Sequence, residues 1–159
     1  MREILFRAKR IDNGEWVEGY FFDDGMSEVE HYFVGRIVIE PYKGTACDDW
    51  DITGIDFCEV NPETLCQYTG MVDKNGNRIW ENDIISINTY DYMEPQEDFF
   101  GRVVYLEKWA CWCIQLPEEE KFIPLCECEG SYQTDRFVEG NVFDNPELWE
   151  QETEDGHGE

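Results

Sequence analysis

The residues best suited to chemistry in this 159-residue chain are seven cysteines, two histidines and a large excess of carboxylates. Four of the cysteines fall in two pairs, Cys111-Trp112-Cys113 and Cys126-Glu127-Cys128. Residues two apart on a strand share a face. A hairpin closed by Pro117-Glu118-Glu119-Glu120 would set Cys111 opposite, or nearly opposite, Cys126. Four thiolates on one face would suit zinc. The spacing argues the other way: zinc cysteines usually have about two to four residues between them, in a knuckle that curls round the metal, and one intervening residue on a flat strand splays the sulfurs. The expectation is therefore reduced cysteines packed as small hydrophobes, with no metal and no cofactor. An odd cysteine count without secretory features also argues against a disulfide framework.

The remaining candidates are weaker. Asp73-Lys74-Asn75-Gly76-Asn77 opens like a calcium loop, but the sixth position holds Arg78 instead of Gly and the twelfth holds Ile84 instead of Glu, so a hairpin turn is the better reading. Asp48-Asp49-Trp50-Asp51 is an acidic cluster in an acidic protein and needs no cation to explain it. His31 sits in a strand pattern, packed or half-exposed, and His157 lies near the C-terminus. No Ser or Cys stands in a nucleophile elbow, no glycine-rich loop could cradle phosphate, and carboxylate pairs are too numerous for any one to be informative. No catalytic, cofactor-binding or metal-binding residue is assigned, and a non-enzymatic role leads.

The elements that would position these residues read as strands. Ile4 to Arg10 opens the chain, Asp12-Asn13-Gly14 turns it, and Glu15 to Phe22 returns, with Trp16, Glu18 and Tyr20 on one face and Val17, Gly19 and Phe21 on the other. Glu28 to Glu40 is aromatic and β-branched, with Gly35 as a candidate bulge. Lys43 to Ile55 reads as loop and residues 56 to 60 as a short strand. Pro62-Glu63-Thr64 suits a helical turn capped by Asn61. The stretch from Val60 to Ile87 is the most structured: a strand over Leu65 to Thr69, Gly70 at positive φ, a type I′ turn at Asn75-Gly76, a restart through Ile79 and Trp80, a tight turn at Glu81-Asn82-Asp83, and the β-branched run Ile84 to Ile87. Asn88 to Asp98, with Pro95, reads as a polar loop. Strands follow over Phe99 to Glu107, Trp109 to Leu116 and Lys121 to Cys128, and a last one over Phe137 to Phe143. Trp109 and Trp112 are three apart and so point to opposite faces of their strand. Asn145 should cap one helical turn through Trp149, and the acid-rich residues 150–159 should be a disordered tail.

Composition bounds function. Hydrophobic residues are 42% of the chain and aromatics 15%, enough for a packed core. The longest uncharged apolar stretch is far too short to span a bilayer. No apolar segment follows the N-terminal basic residues, so a cytoplasmic protein is expected. The net charge is −25, with acid in excess along the whole chain. Such a field repels phosphate backbones and disfavours direct nucleic-acid binding. It keeps a protein soluble, and it would also suit an acidic mimic of nucleic acid that blocks a nucleic-acid-binding host protein.

Three blocks are similar to the YopX-like proteins of phages, prophages and other mobile elements. They are Arg2-Glu3-Ile4-Leu5-Phe6-Arg7-Ala8 with Trp16-Val17-Glu18-Gly19; Val60-Asn61-Pro62-Glu63-Thr64, Gln67-Tyr68-Thr69-Gly70, Asp73-Lys74-Asn75-Gly76 and Trp80-Glu81-Asn82-Asp83-Ile84; and Gly140-Asn141-Val142-Phe143-Asp144-Asn145-Pro146-Glu147-Leu148. Asn82 stands where that family usually has Gly, and Asn is the best substitute for a left-handed residue. The resemblance implies a phage or prophage accessory protein and carries over no catalytic residue. The resulting expectation is an all-β domain over 1–149. It has two small sheet or partly open barrel lobes, approximately 1–60 and 61–149, with an SH3-like barrel among the forms open to them, and little helix. The protein would act by binding an unknown protein partner or by self-association. The acidic mimic is the alternative and an uncharacterised enzyme the third reading.

Overall fold

The computed structural model describes residues 3–23, 25, 31–40, 51–91, 94–117, 121–125 and 133–149. Among them are eleven strands: β1 (Phe6–Lys9), β2 (Trp16–Asp23), β3 (Tyr32–Glu40), β4 (Asp51–Val60), β5 (Cys66–Val72), β6 (Arg78–Trp80), β7 (Asp83–Asp91), β8 (Glu94–Leu106), β9 (Cys111–Gln115), β10 (Phe122–Pro124) and β11 (Gln133–Asn141). Among the described residues helix is confined to a 3-10 turn at Pro62–Thr64 and one helical turn over 146–149. The strands form two antiparallel sheets, in the orders β4-β3-β2-β1-β5-β6 and β10-β9-β8-β7-β11, neither closed into a barrel. The all-β expectation is met. Among the described residues no helix is long and apolar enough to cross a membrane. The chain divides into two compact units, Met1–Gln67 and Tyr68–Glu159.

In the first unit the two-residue alternation sends Val17 and Phe21 inward with Phe6, Tyr32 and Leu65, round buried Ala8, Val34 and Val60. Two glycines of this sheet lie close against neighbouring backbone. A Cβ on Gly19 would lie 2.1 Å from the Gly35 carbonyl oxygen, and one on Gly35 would lie 2.0 Å from that of Asp56. Only bare backbone permits that approach. The end of β1 meets the end of β4. Arg10 bridges Val60, Ile11 N donates to Glu59 O at 3.1 Å, and Asn61 N donates to Lys9 O at 2.8 Å. The turn at 62–64 clamps this meeting point. Asn61 Oδ1 accepts from Glu63 N, while Thr64 Oγ1 accepts from Lys9 N and donates to Asn61 O.

The second unit packs Ile79, Ile85, Ile87, Val103, Trp112, Ile114, Leu116 and Leu125 into one core. Each such side chain contributes about 1.5–3 kcal/mol of transfer free energy. Asn82 adopts φ 66°, as expected of the residue replacing glycine. Its side-chain oxygen accepts from the Arg102 guanidinium, and Asp83 Oδ2 accepts from Trp80 N at 2.8 Å.

Several local expectations are corrected. Asn75-Gly76 is not a type I′ turn. Only Gly76 has positive φ, at 87°, and its N–H donates to Asp73 O at 3.0 Å. The loop is a type I turn closed by a left-handed glycine, because Asp73 Oδ1 gathers the N–H groups of Asn75 and Asn77. Asn88 to Asp98 is not a loop: β7 runs to Asp91 and β8 starts at Glu94, with Pro95 paired to Tyr90 beside a register shift. Ladder pairing overrides the polar composition there. Residues 51–55 likewise belong to β4, paired to β3. The irregularity in β3 falls at Val38/Ile39 and not at Gly35. Trp109 lies in the turn before β9, exposed, whereas Trp112 is buried in the strand.

Candidate functional site

In β2 the positions that alternate with the core residues are Trp16, Glu18, Tyr20 and Phe22. They face outward. Cross-strand register then assembles an aromatic surface. Tyr20 opposes Gly35 and Phe22 opposes Phe33 on β3; Gly35 in turn opposes Phe57, and Phe33 opposes Glu59, on β4. Gly35 contributes no side chain to the row Tyr20–Gly35–Phe57, and the Phe57 ring meets Phe22 edge-on, with centroids 4.8 Å apart at 84°. Tyr20 (54% exposed), Phe22 (50%) and Ile37 (49%) are half in water. An apolar face of this kind, built on paired strands and not on a loose loop, is a ready contact surface.

Beside it, Arg10, Ile11, Asp12, Phe57, Cys58 and Glu59 line a shallow cleft of about 290 Å³ where the end of β1 reaches β4. Phe57 belongs to both the cleft and the aromatic row, and exposed Ile11 adds a further apolar group. Arg10 holds Asp12 through Nε (2.9 Å) and Nη2 (2.5 Å). The hydrogen bond from Arg10 lowers the Asp12 carboxyl below its usual value, and the reciprocal bond raises Arg10. The pair is exposed, so it shapes the rim more than it stabilises the fold. His31 Nδ1 lies 2.6 Å from Glu59 Oε1, both groups half-exposed. Across the sheet, Arg7 and Lys9 stand over the Trp16 ring, 4.8 and 5.5 Å from its centroid.

The other candidates resolve differently. Asp73 uses its carboxylate internally. Beyond Asn75 and Asn77 N–H it accepts from Asn77 Nδ2 (2.9 Å) and Val138 N (3.2 Å), so the resemblance to a calcium loop is a turn clasp. Cys111 and Cys113 bring their sulfurs to 3.6 Å, so the expected splay of a Cys-X-Cys pair is corrected: side-chain rotation on one face overcomes the strand spacing. Cys126, Cys128, Asp48, Asp49, Trp50 and His157 lie outside the described residues, as does the tail. Among the described residues no three His, Cys, Asp or Glu side chains converge as a metal site. The aromatic row was not singled out from sequence. Its signal was available in β2, where bulky apolar residues occur at both parities.

Protein EF1440 from Enterococcus faecalis, seen in a crystal structure, is similar in fold. The TM-score is 0.56 at 23% identity, over 94% of this chain and 99% of that one. No match was found among curated proteins. The model of the family described as YopX protein matches residues 5–150. That span includes the clamp at 61–64, the clasp at Asp73 and the Asn82 turn, and by it the chain belongs to the YopX protein family.

Proposed function

We propose that the chain is a non-enzymatic accessory protein of a phage or prophage, cytoplasmic, that binds a protein partner through the outer face of its first unit. The observation that carries this reading is the half-exposed aromatic row Tyr20, Phe22 and Phe57 with Ile37 and Ile11. Aromatic side chains supply contact area at low entropic cost and are enriched in interfaces. A net charge of −25 disfavours a nucleic-acid ligand.

A photo-reactive residue at Tyr20 tests the reading in the native host, with the same residue at exposed Glu63 as control. The expected result is a discrete protein adduct from position 20 that is absent from position 63. It should be lost with Phe57→Ser and depend weakly on salt, as apolar contacts do. Equal labelling at both positions overturns the reading. An adduct at position 20 that DNA displaces, with steep salt dependence, replaces it with nucleic-acid mimicry.

A further inference from the structure

We propose that Cys111 and Cys113 form a two-thiolate site for a thiophilic cation, independent of the aromatic face. In β9 the intervening Trp112 and the following Ile114 enter the core of the second unit. By alternation both cysteines lie on the opposite face. They are thus not filling that core, which is the usual explanation for buried thiols. Neither forms a disulfide; Cys113 is buried, and Cys111 is partly exposed and gives access.

The geometry is that of a chelate. Residues two apart on a strand are separated by about 6.7 Å along the chain, yet the two sulfurs stand 3.6 Å apart. That is well beyond a disulfide bond of about 2.05 Å. Two thiolates on one tetrahedral ion, each bond about 2.3 Å, stand about 3.8 Å apart. The pair is therefore arranged to share one ion with little movement. With two protein donors the remaining coordination is left to carbon, water or an added ligand. This favours ions satisfied by two sulfurs, such as a trivalent organoarsenical, and allows zinc a weaker hold.

Phenylarsine oxide is a direct probe. Its arsenic–oxygen bond breaks, two arsenic–sulfur bonds form, and the two thiol protons leave with the oxygen as water. Arsenic stays trivalent, so no oxidant or reductant is needed. The reduced full chain should take one phenylarsenic group on the peptide containing β9 and keep it against excess monothiol, but release it to a dithiol. Cys111→Ser or Cys113→Ser should lower the retained fraction on the order of a hundredfold, because the chelate becomes a single bond. Cys58→Ser and Cys66→Ser should change nothing. Cys111→Ala, at a partly exposed position, guards against misfolding, and its unfolding midpoint should match the parent. A parallel titration of zinc against a chromophoric chelator, with the protein purified without chelators, reads the same site. Retention of either ion that depends on both Cys111 and Cys113 supports the proposal. Retention that survives Cys113→Ser, or requires Cys126 or Cys128 instead, overturns it, as does failure of the parent protein to hold either ion.

Discussion

Replacing Asp73 with Ala should unfasten the second unit. The carboxylate is 5% exposed and accepts four hydrogen bonds, from Asn75 N (2.9 Å), Asn77 N (2.8 Å), Asn77 Nδ2 (2.9 Å) and Val138 N (3.2 Å). Asn75 and Asn77 are exposed residues, so their donors can turn to water, at about 0.5 kcal/mol each. The Val138 amide sits on the half-buried edge of β11 and loses its partner at about 1–2 kcal/mol. The sum is about 2–4 kcal/mol, or roughly 10–25 °C in the transition of a unit this size. Asp73→Asn should cost about half as much: its oxygen can still serve Asn75 and Asn77, but its amide group faces two donors.

The effect has a defined pH dependence. Burial raises the Asp73 carboxyl, but hydrogen bonds from Asn77, Val138 and Asn75 outweigh it and the net shift is downward. A group lowered on folding contributes stability above its unfolded value, near 4, and loses it as pH falls through the folded value. The gap between parent and Asp73→Ala should therefore be full at neutral pH and shrink as the pH falls from about 4 through the lower folded value. Urea unfolding measures the loss, and hydrogen exchange by mass spectrometry locates it. Peptides over 133–141 should lose protection while those over β1 to β4 keep theirs. A variant within about 0.5 kcal/mol of the parent at pH 7, or a gap that widens in acid, would refute the reasoning.

Gly35→Ala should destabilise the first unit by about 2–4 kcal/mol, because its Cβ meets the backbone of Asp56 and Phe57 and not a side chain that can swing away; a thermal melt that leaves the midpoint unchanged would deny the close approach. Gly76→Val should cost about 1–2 kcal/mol through its φ of 87° alone, since nothing crowds the site, and Gly76→Asn should recover most of that in the same urea titration. Tyr20→Ser with Phe22→Ser should cost about 1–2 kcal/mol, from half-buried area and the Phe22–Phe57 contact, so circular dichroism should still show a folded β protein, while the partner adduct formed by a photo-reactive residue at exposed Ile37 is lost in the same variant.

Much of the fold was legible because its signals are local. The alternation of Val17, Gly19 and Phe21 against Trp16, Glu18 and Tyr20 follows from the pleat of one strand. The Asn61-Pro62 cap and the left-handed Asn82 follow from the conformations those residues accept. The polar run Asn88 to Asp98 misled for the complementary reason. Its strand character comes from a partner, Tyr90 against Pro95 and Asn88 against Asp98, and no property of the run itself announces that pairing.

The sequence by itself determined the β class, the acidic charge and most of the turns, since each depends on residue type within a few positions. Tertiary structure alone decided what those turns hold. Asp73 looked like a ligand or a turn former, and only its distance from Val138, 65 residues on, makes it a clasp on β11. Gly35 looked like a bulge, and only the approach of Asp56 shows that it admits a neighbouring strand. Tyr20, Phe22 and Phe57 become one surface through register across three strands, and Cys111 and Cys113 become a pair through side-chain rotation. Distances between groups far apart in the chain are set by packing, so these sites could be read only in the folded protein.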